Sequence, residues 1–67
     1  MNFDFGNRIK TLRLSRSMTQ EQLALKLGVS PQAASKWESG TNMPDILMLP
    51  ELSVIFGVTI DELFTMT

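Results

Sequence analysis

Thr19-Gln20-Glu21-Gln22-Leu23-Ala24-Leu25-Lys26-Leu27-Gly28-Val29-Ser30-Pro31-Gln32-Ala33-Ala34-Ser35-Lys36-Trp37-Glu38-Ser39-Gly40 is the stretch that decides the fold. It opens on a capping box, in which the Thr19 hydroxyl and the Gln22 side chain are spaced to satisfy orphan amides reciprocally. Met18 and Leu23 have the spacing of a hydrophobic staple around it. Gly28 stands where a left-handed residue would end the helix. Two residues on, Ser30-Pro31 starts another: serine as N-cap, proline at the first helical position, where its missing N–H costs nothing. Gly40 is placed to stop that second helix. Ala24 is small where two steeply crossing helices would touch, and Val29 can fill the corner beneath them. The stretch predicts two short helices joined by a tight turn.

The second of these helices has an unusual outward face. At 100° per residue, Pro31, Gln32, Ser35, Lys36 and Ser39 fall within a sector of about 140°, with Ala33, Ala34 and Trp37 on the other side. Exposed helix faces ordinarily carry Glu and Lys pairs, whereas this one offers hydroxyls, an amide and one cation, which donate and accept at close range. A capped helix, a turn of three or four residues and a second helix with such a face form a helix-turn-helix pattern.

Outward from this unit the same punctuation recurs. Thr59-Ile60-Asp61-Glu62 is a second capping box, stapled by Val58 and Leu63; Asp45 after Pro44 is a further candidate cap; Gly57 is a third helix stop. Apolar residues at helical spacing mark inner faces: Phe5, Ile9 and Leu12; Leu23 and Leu27; Leu49, Leu52 and Phe56; Leu63 and Phe64. Pro50 removes the hydrogen bond to the carbonyl of Ile46, so the fourth helix is expected to begin with a distorted turn or to restart at the proline. Ser17 occupies a site where Gly or Asn would more easily take positive φ. No strand-like alternation occurs. The expectation is an all-α, compact five-helix bundle forming one domain over residues 1–67.

Composition narrows the function. The chain has 67 residues with no cysteine and no histidine, which removes disulfides, zinc fingers, Cys or His nucleophiles and an imidazole base. No enzyme, metal or cofactor is therefore expected. The longest uninterrupted apolar run, Ile46 to Leu49, is far short of the roughly 18 residues of a membrane span, and the first residues show no apolar signal region, so the cytoplasm is expected. Net charge is −1, but it is unevenly spread. All six basic residues (Arg8, Lys10, Arg13, Arg16, Lys26, Lys36) precede Trp37, opposed there only by Asp4 and Glu21; Glu38, Asp45, Glu51, Asp61 and Glu62 follow with no cation. The first part carries +4 and the second −5, and local field rather than net charge governs steering. A chain this small buries only about 60% of its unfolded surface, so help from a subunit is plausible.

The sequence closely resembles the Cro/C1-type helix-turn-helix family, the XRE-like transcriptional regulators of bacteria and phages, over about residues 5 to 64. The resemblance is carried by Ile9-x-x-Leu12-Arg13, Thr19-Gln20-x-x-Leu23-Ala24, Leu27-Gly28-Val29-Ser30, Ser35-Lys36-Trp37-Glu38-x-Gly40, Pro44-Asp45 and Phe56-Gly57-Val58-Thr59-Ile60-Asp61-Glu62-Leu63. It implies a lambda-repressor-like DNA-binding domain whose second and third helices form the reading unit. By the same resemblance Gln20 grips a phosphate and braces the recognition helix. Ser30, Pro31, Gln32 and Lys36 face the major groove, Ser39 and Thr41 contact the backbone beyond it, and Ser35, on the same outward face, is a further DNA-binding candidate. Gln32 is the best base reader, since its amide can pair bidentately with adenine, while Lys36 can reach guanine or a phosphate. Arg13 and Glu38 match a structural salt bridge between the first helix and the end of the third.

Several residues depart from the family pattern. Pro31 replaces a polar residue, Ala34 a larger β-branched one, and Leu14, Leu25 and Leu47 are apolar where polar residues are usual. Leu47 and Val54 lie opposite the inner stripe of the fourth helix, and Ile60, Phe64 and Met66 supply an apolar end. The expected partners are double-stranded DNA and a second copy, in a homodimer through helices four and five, with no membrane and no small-molecule ligand. The expected function is a sequence-specific regulator, a repressor by occupancy. The alternative is a helix-turn-helix module that docks on another protein and has lost DNA binding. An end soon after Leu63-Phe64 fits a complete small regulator or an excised domain equally well.

Overall fold

A computed structural model describes residues 4–64. The order is α1 (Phe5–Ser15), α2 (Gln20–Leu27), α3 (Pro31–Ser39), a 3-10 turn (Ile46–Met48), α4 (Leu49–Phe56) and α5 (Ile60–Leu63). Five α-helices and no strand occur among the described residues, as the punctuation of the sequence predicts. Each boundary has a local cause. The Thr19 and Thr59 capping boxes form, with both reciprocal bonds in place. The Ser30 side chain accepts from the Ala33 N–H at 3.2 Å, and Pro31 takes the first turn of α3. Gly28 ends α2 at φ 73°, a left-handed conformation that glycine adopts without a Cβ penalty. Ser17 reaches φ 56° without that freedom. Asp4, which the sequence reading passed over, caps α1 by accepting from the Asn7 N–H at 2.9 Å.

Pro50 acts as expected. It falls in the first turn of α4, where its absent N–H is harmless, and the segment before it tightens into a 3-10 turn that Asp45 caps through the Leu47 N–H.

One hydrophobic cluster joins all five helices: Phe5, Ile9, Leu12, Leu23, Ala24, Leu27, Ala34, Trp37, Leu52, Phe56 and Leu63. Met18, Val29, Leu49 and Val58 pack against it half-buried, so both staples and the corner-filling valine take their expected places. Burying each large aliphatic or aromatic side chain contributes about 1.5–3 kcal/mol, which is why the inner stripes define the fold. Phe64 differs from the expectation. It is 44% exposed, at the C-cap of α5, because that helix ends at Leu63 and carries the next residue past the core. Its ring instead stacks on Phe5, centroids 4.9 Å apart and planes 16° apart. Met66 lies outside the described residues.

At Gly6 the backbone of α1 lies directly against that of α3. A Cβ there would lie 2.8 Å from the Glu38 carbonyl oxygen and closer still to that of Trp37. Only glycine lets α1 press flat against the end of α3, and this contact fixes how far α3 stands out from the bundle.

Candidate functional site

α3 is held from behind and bare in front. Behind, Ala34 and Trp37 are buried against α1 and α2. In front, Pro31, Gln32, Ser35, Lys36 and Ser39 are all exposed, so the predicted five-residue sector is the surface the helix presents. The side chains of Gln32, Ser35 and Lys36 make no hydrogen bond or ion pair among the described residues and retain their full donor and acceptor capacity. Ser30 is partly committed: its oxygen caps α3. Ser39 and Thr41 are organised at the exit, where the Ser39 hydroxyl bonds to the Lys36 carbonyl at 3.1 Å and to the Thr41 hydroxyl at 2.9 Å.

Glu38 is the one acid on α3, and its charge is consumed internally. Arg13 Nε donates to Glu38 Oε2 at 2.7 Å and Arg13 Nη2 to Oε1 at 3.0 Å, a bidentate pair in which the side chains are 9% and 4% exposed. Arg13 Nη1 also donates to the Met18 carbonyl at 2.7 Å, at the entrance to α2. Gln20 Nε2 completes the set, donating to Glu38 Oε1 at 3.1 Å. One carboxylate thus ties α1, α2 and α3 together. Removing either partner of such a buried pair would strand an uncompensated charge. Gln20 is half-buried and sits where the α2 N-terminus points its free N–H groups outward, a setting that favours an anion.

The remaining cations divide. The arginines each make hydrogen bonds within the protein. Arg8 donates to the Glu62 carbonyl through Nε at 3.2 Å and Nη2 at 2.7 Å. Arg16 Nη2 donates to the Phe56 carbonyl. Both guanidiniums cap the C-terminal ends of distant helices, where unsatisfied carbonyls and the helix dipole attract positive charge. Lys10, Lys26 and Lys36 are exposed and form no ion pair among the described residues. Sequence reasoning could not assign the two arginines, because their acceptors are backbone atoms 54 and 40 residues away. No group of three or more acidic side chains able to hold a metal occurs among the described residues.

Comparison with known proteins places this architecture. A family model described as helix-turn-helix matches residues 9–63. The HTH-type transcriptional activator BcrR of Enterococcus faecalis is 47% identical over 62 residues, covering 92% of this chain and 30% of BcrR. The chain therefore spans less than a third of that relative's length. Among solved structures, the P22 c2 repressor in complex with a synthetic operator matches with a TM-score of 0.84 and 29% identity, over 97% of each chain. The biofilm master regulator SinR in complex with DNA matches at 0.81 and 29%, over 91% of this chain and 98% of that one. The matched residues contain both capping boxes, the α2–α3 unit and the Arg13–Glu38 pair. The chain belongs to the Cro/C1-type (XRE-like) helix-turn-helix family of transcriptional regulators.

Proposed function

We propose that this chain is the sequence-specific reading domain of a DNA-binding transcriptional regulator, a repressor acting by occupancy in the cytoplasm. The observation that carries the reading is the outward face of α3: five exposed residues without an acid, backed by a carboxylate that Arg13 neutralises. A helix so presented fits the major groove, with Gln32 as base reader, Ser30, Pro31, Ser35 and Lys36 beside it, and Gln20, Ser39 and Thr41 on the flanking phosphates. The P22 c2 and SinR relatives, both solved on DNA, support the same docking for this chain. In this reading two copies associate through α4 and α5 and occupy half-sites about 34 Å apart.

A salt titration of duplex binding tests it. Each neutralised phosphate contributes a slope of about −0.9 in log affinity against log salt. Among the described residues Lys10, Lys26 and Lys36 are exposed cations without an ion-pair partner, and phosphate contacts by all three would give a slope of about −3 per copy. A chain that has become a protein-docking module, the reading that exposed Leu14, Leu25 and Leu47 would favour, should bind duplex weakly at every salt concentration.

A further inference from the structure

The outward face of α3 runs in two rows. Gln32 and Lys36 lie four apart on one, and Pro31, Ser35 and Ser39 lie four apart on the other. All five are exposed. Pro31 differs from the rest in chemistry: its side chain holds no donor or acceptor, and its nitrogen carries no hydrogen. Its placement is fixed by the residue before it. The Ser30 side chain accepts from the Ala33 N–H at 3.2 Å, and the Ser30 carbonyl accepts from the Ala33 and Ala34 N–H groups at 3.0 and 3.4 Å. The ring locks its own φ, and covering it costs no rotamer freedom, whereas a long flexible side chain would lose some. α3 therefore leads with a small, rigid apolar edge beside the unengaged Gln32 amide.

That edge selects among bases. In the major groove guanine shows acceptors, cytosine a donor and adenine one of each, and thymine alone adds an apolar group, its C5-methyl. Laid over guanine, cytosine or adenine, Pro31 would displace water from polar edges and offer no hydrogen bond in return, which is costly. Against a methyl group the same ring removes apolar surface from water on both sides. Successive helix positions rise only about 1.5 Å, so Pro31 and Gln32 reach neighbouring base pairs. We propose that Pro31 is a specificity-determining residue that reads the C5-methyl group of a thymine, on the base pair next to the adenine read by Gln32. The inference rests on the reading above that α3 enters the major groove, and it deepens that reading. The preferred half-site carries two adjacent A·T pairs, one recognised by hydrogen bonds and the other by apolar contact.

Deoxyuridine provides the test, because it differs from thymidine only by the missing methyl group. Selection from random duplexes gives the preferred motif, and each of its thymines is then replaced by deoxyuridine in turn, with affinity measured by competition. One replacement, on a pair adjoining the position that Gln32→Ala blurs, should weaken the wild-type chain about fourfold, the worth of one buried methyl group. Pro31→Ser, which suits the first turn of a helix, should bind the thymine and uracil duplexes equally. Ser35→Ala, in the same row, should keep the fourfold ratio whatever it costs in overall affinity. Circular dichroism checks that these exposed substitutions leave the fold intact. A motif without thymine overturns the proposal. So do equal wild-type affinities for every thymine and uracil pair of duplexes, a methyl-dependent thymine that does not adjoin the Gln32 position, a ratio that survives in Pro31→Ser, or one that Ser35→Ala also abolishes. The two claims fail separately. Selection that yields no motif removes the major-groove reading and this inference with it, whereas a well-defined motif without methyl dependence removes the inference alone.

Discussion

Gln32 and Glu38 lie on the same short helix and do opposite things. Gln32 is exposed and unengaged, so its amide can meet the N6 and N7 of an adenine, a pairing worth about 1–3 kcal/mol of discrimination against the wrong base. Replacing it with alanine should cost about that much on the preferred duplex, relax preference at one base position and leave affinity for random duplex unchanged. Competition binding across single-base variants measures this, and equal losses on preferred and random duplex would contradict the assignment. Glu38 is turned inward, and Arg13 and Gln20 take up both its oxygens. An acid at the end of a reading helix would repel phosphate were it not neutralised within the molecule. Helical periodicity separates positions 32 and 36 from 34 and 37 in the sequence, whereas the pairing of Glu38 with Arg13 was implied by the family resemblance and not by spacing. Which nitrogen meets which oxygen around Glu38 was not visible, since that depends on the crossing of three helices.

At the scale of elements, the contact of α1 with α3 is set by Gly6. Gly6→Ala would drive a methyl into the Trp37 and Glu38 carbonyls, which are backbone and cannot swing aside. We expect a loss of about 1–3 kcal/mol in urea unfolding, the usual cost of overpacking, against little change for Asn7→Ala on the exposed side of the same turn. α5 offers a second handle. The Glu62 carboxyl is held below its ordinary value, first because it accepts the Thr59 N–H at 2.8 Å, then through the Thr59 hydroxyl and the Arg8 charge. A carboxylate depressed in the folded state stabilises fully above its unfolded pKa, and that stabilisation disappears as pH falls through the lower folded value. Stability should therefore decline on acidification below the normal carboxylate range. Glu62→Gln, which keeps the amide acceptor without the titration, should flatten that decline in pH-dependent urea midpoints.

The same elements show what local chemistry reveals and what it hides. The capping boxes, Ser30-Pro31 and the left-handed Gly28 are complete within four or five residues, so their geometry follows from the sequence alone. Phe64 looked internal because it continues the apolar run of α5, but a helix that stops at Leu63 no longer aims it inward. The arginine caps of α4 and α5, like the crowding around Gly6, depend on backbone atoms brought near by tertiary packing, and no side-chain pattern announces them.

For the whole molecule, the sequence's division of charge acquires a different meaning. The cationic half does not simply face DNA: Arg8 and Arg16 reach into the acidic half and fasten α4 and α5 onto α1. The described residues measure 30 × 24 × 23 Å across their Cα atoms, comparable to the roughly 34 Å of one helical turn of DNA.

The central claim is that the outward face of α3 reads base sequence. Enrichment of bound molecules from a pool of random duplexes, at moderate salt, tests it most directly. The account predicts a shared motif that the wild-type chain recovers and that loses definition at one position with Gln32→Ala. Bound pools with no common motif, or the same motif at full definition without Gln32, would contradict it.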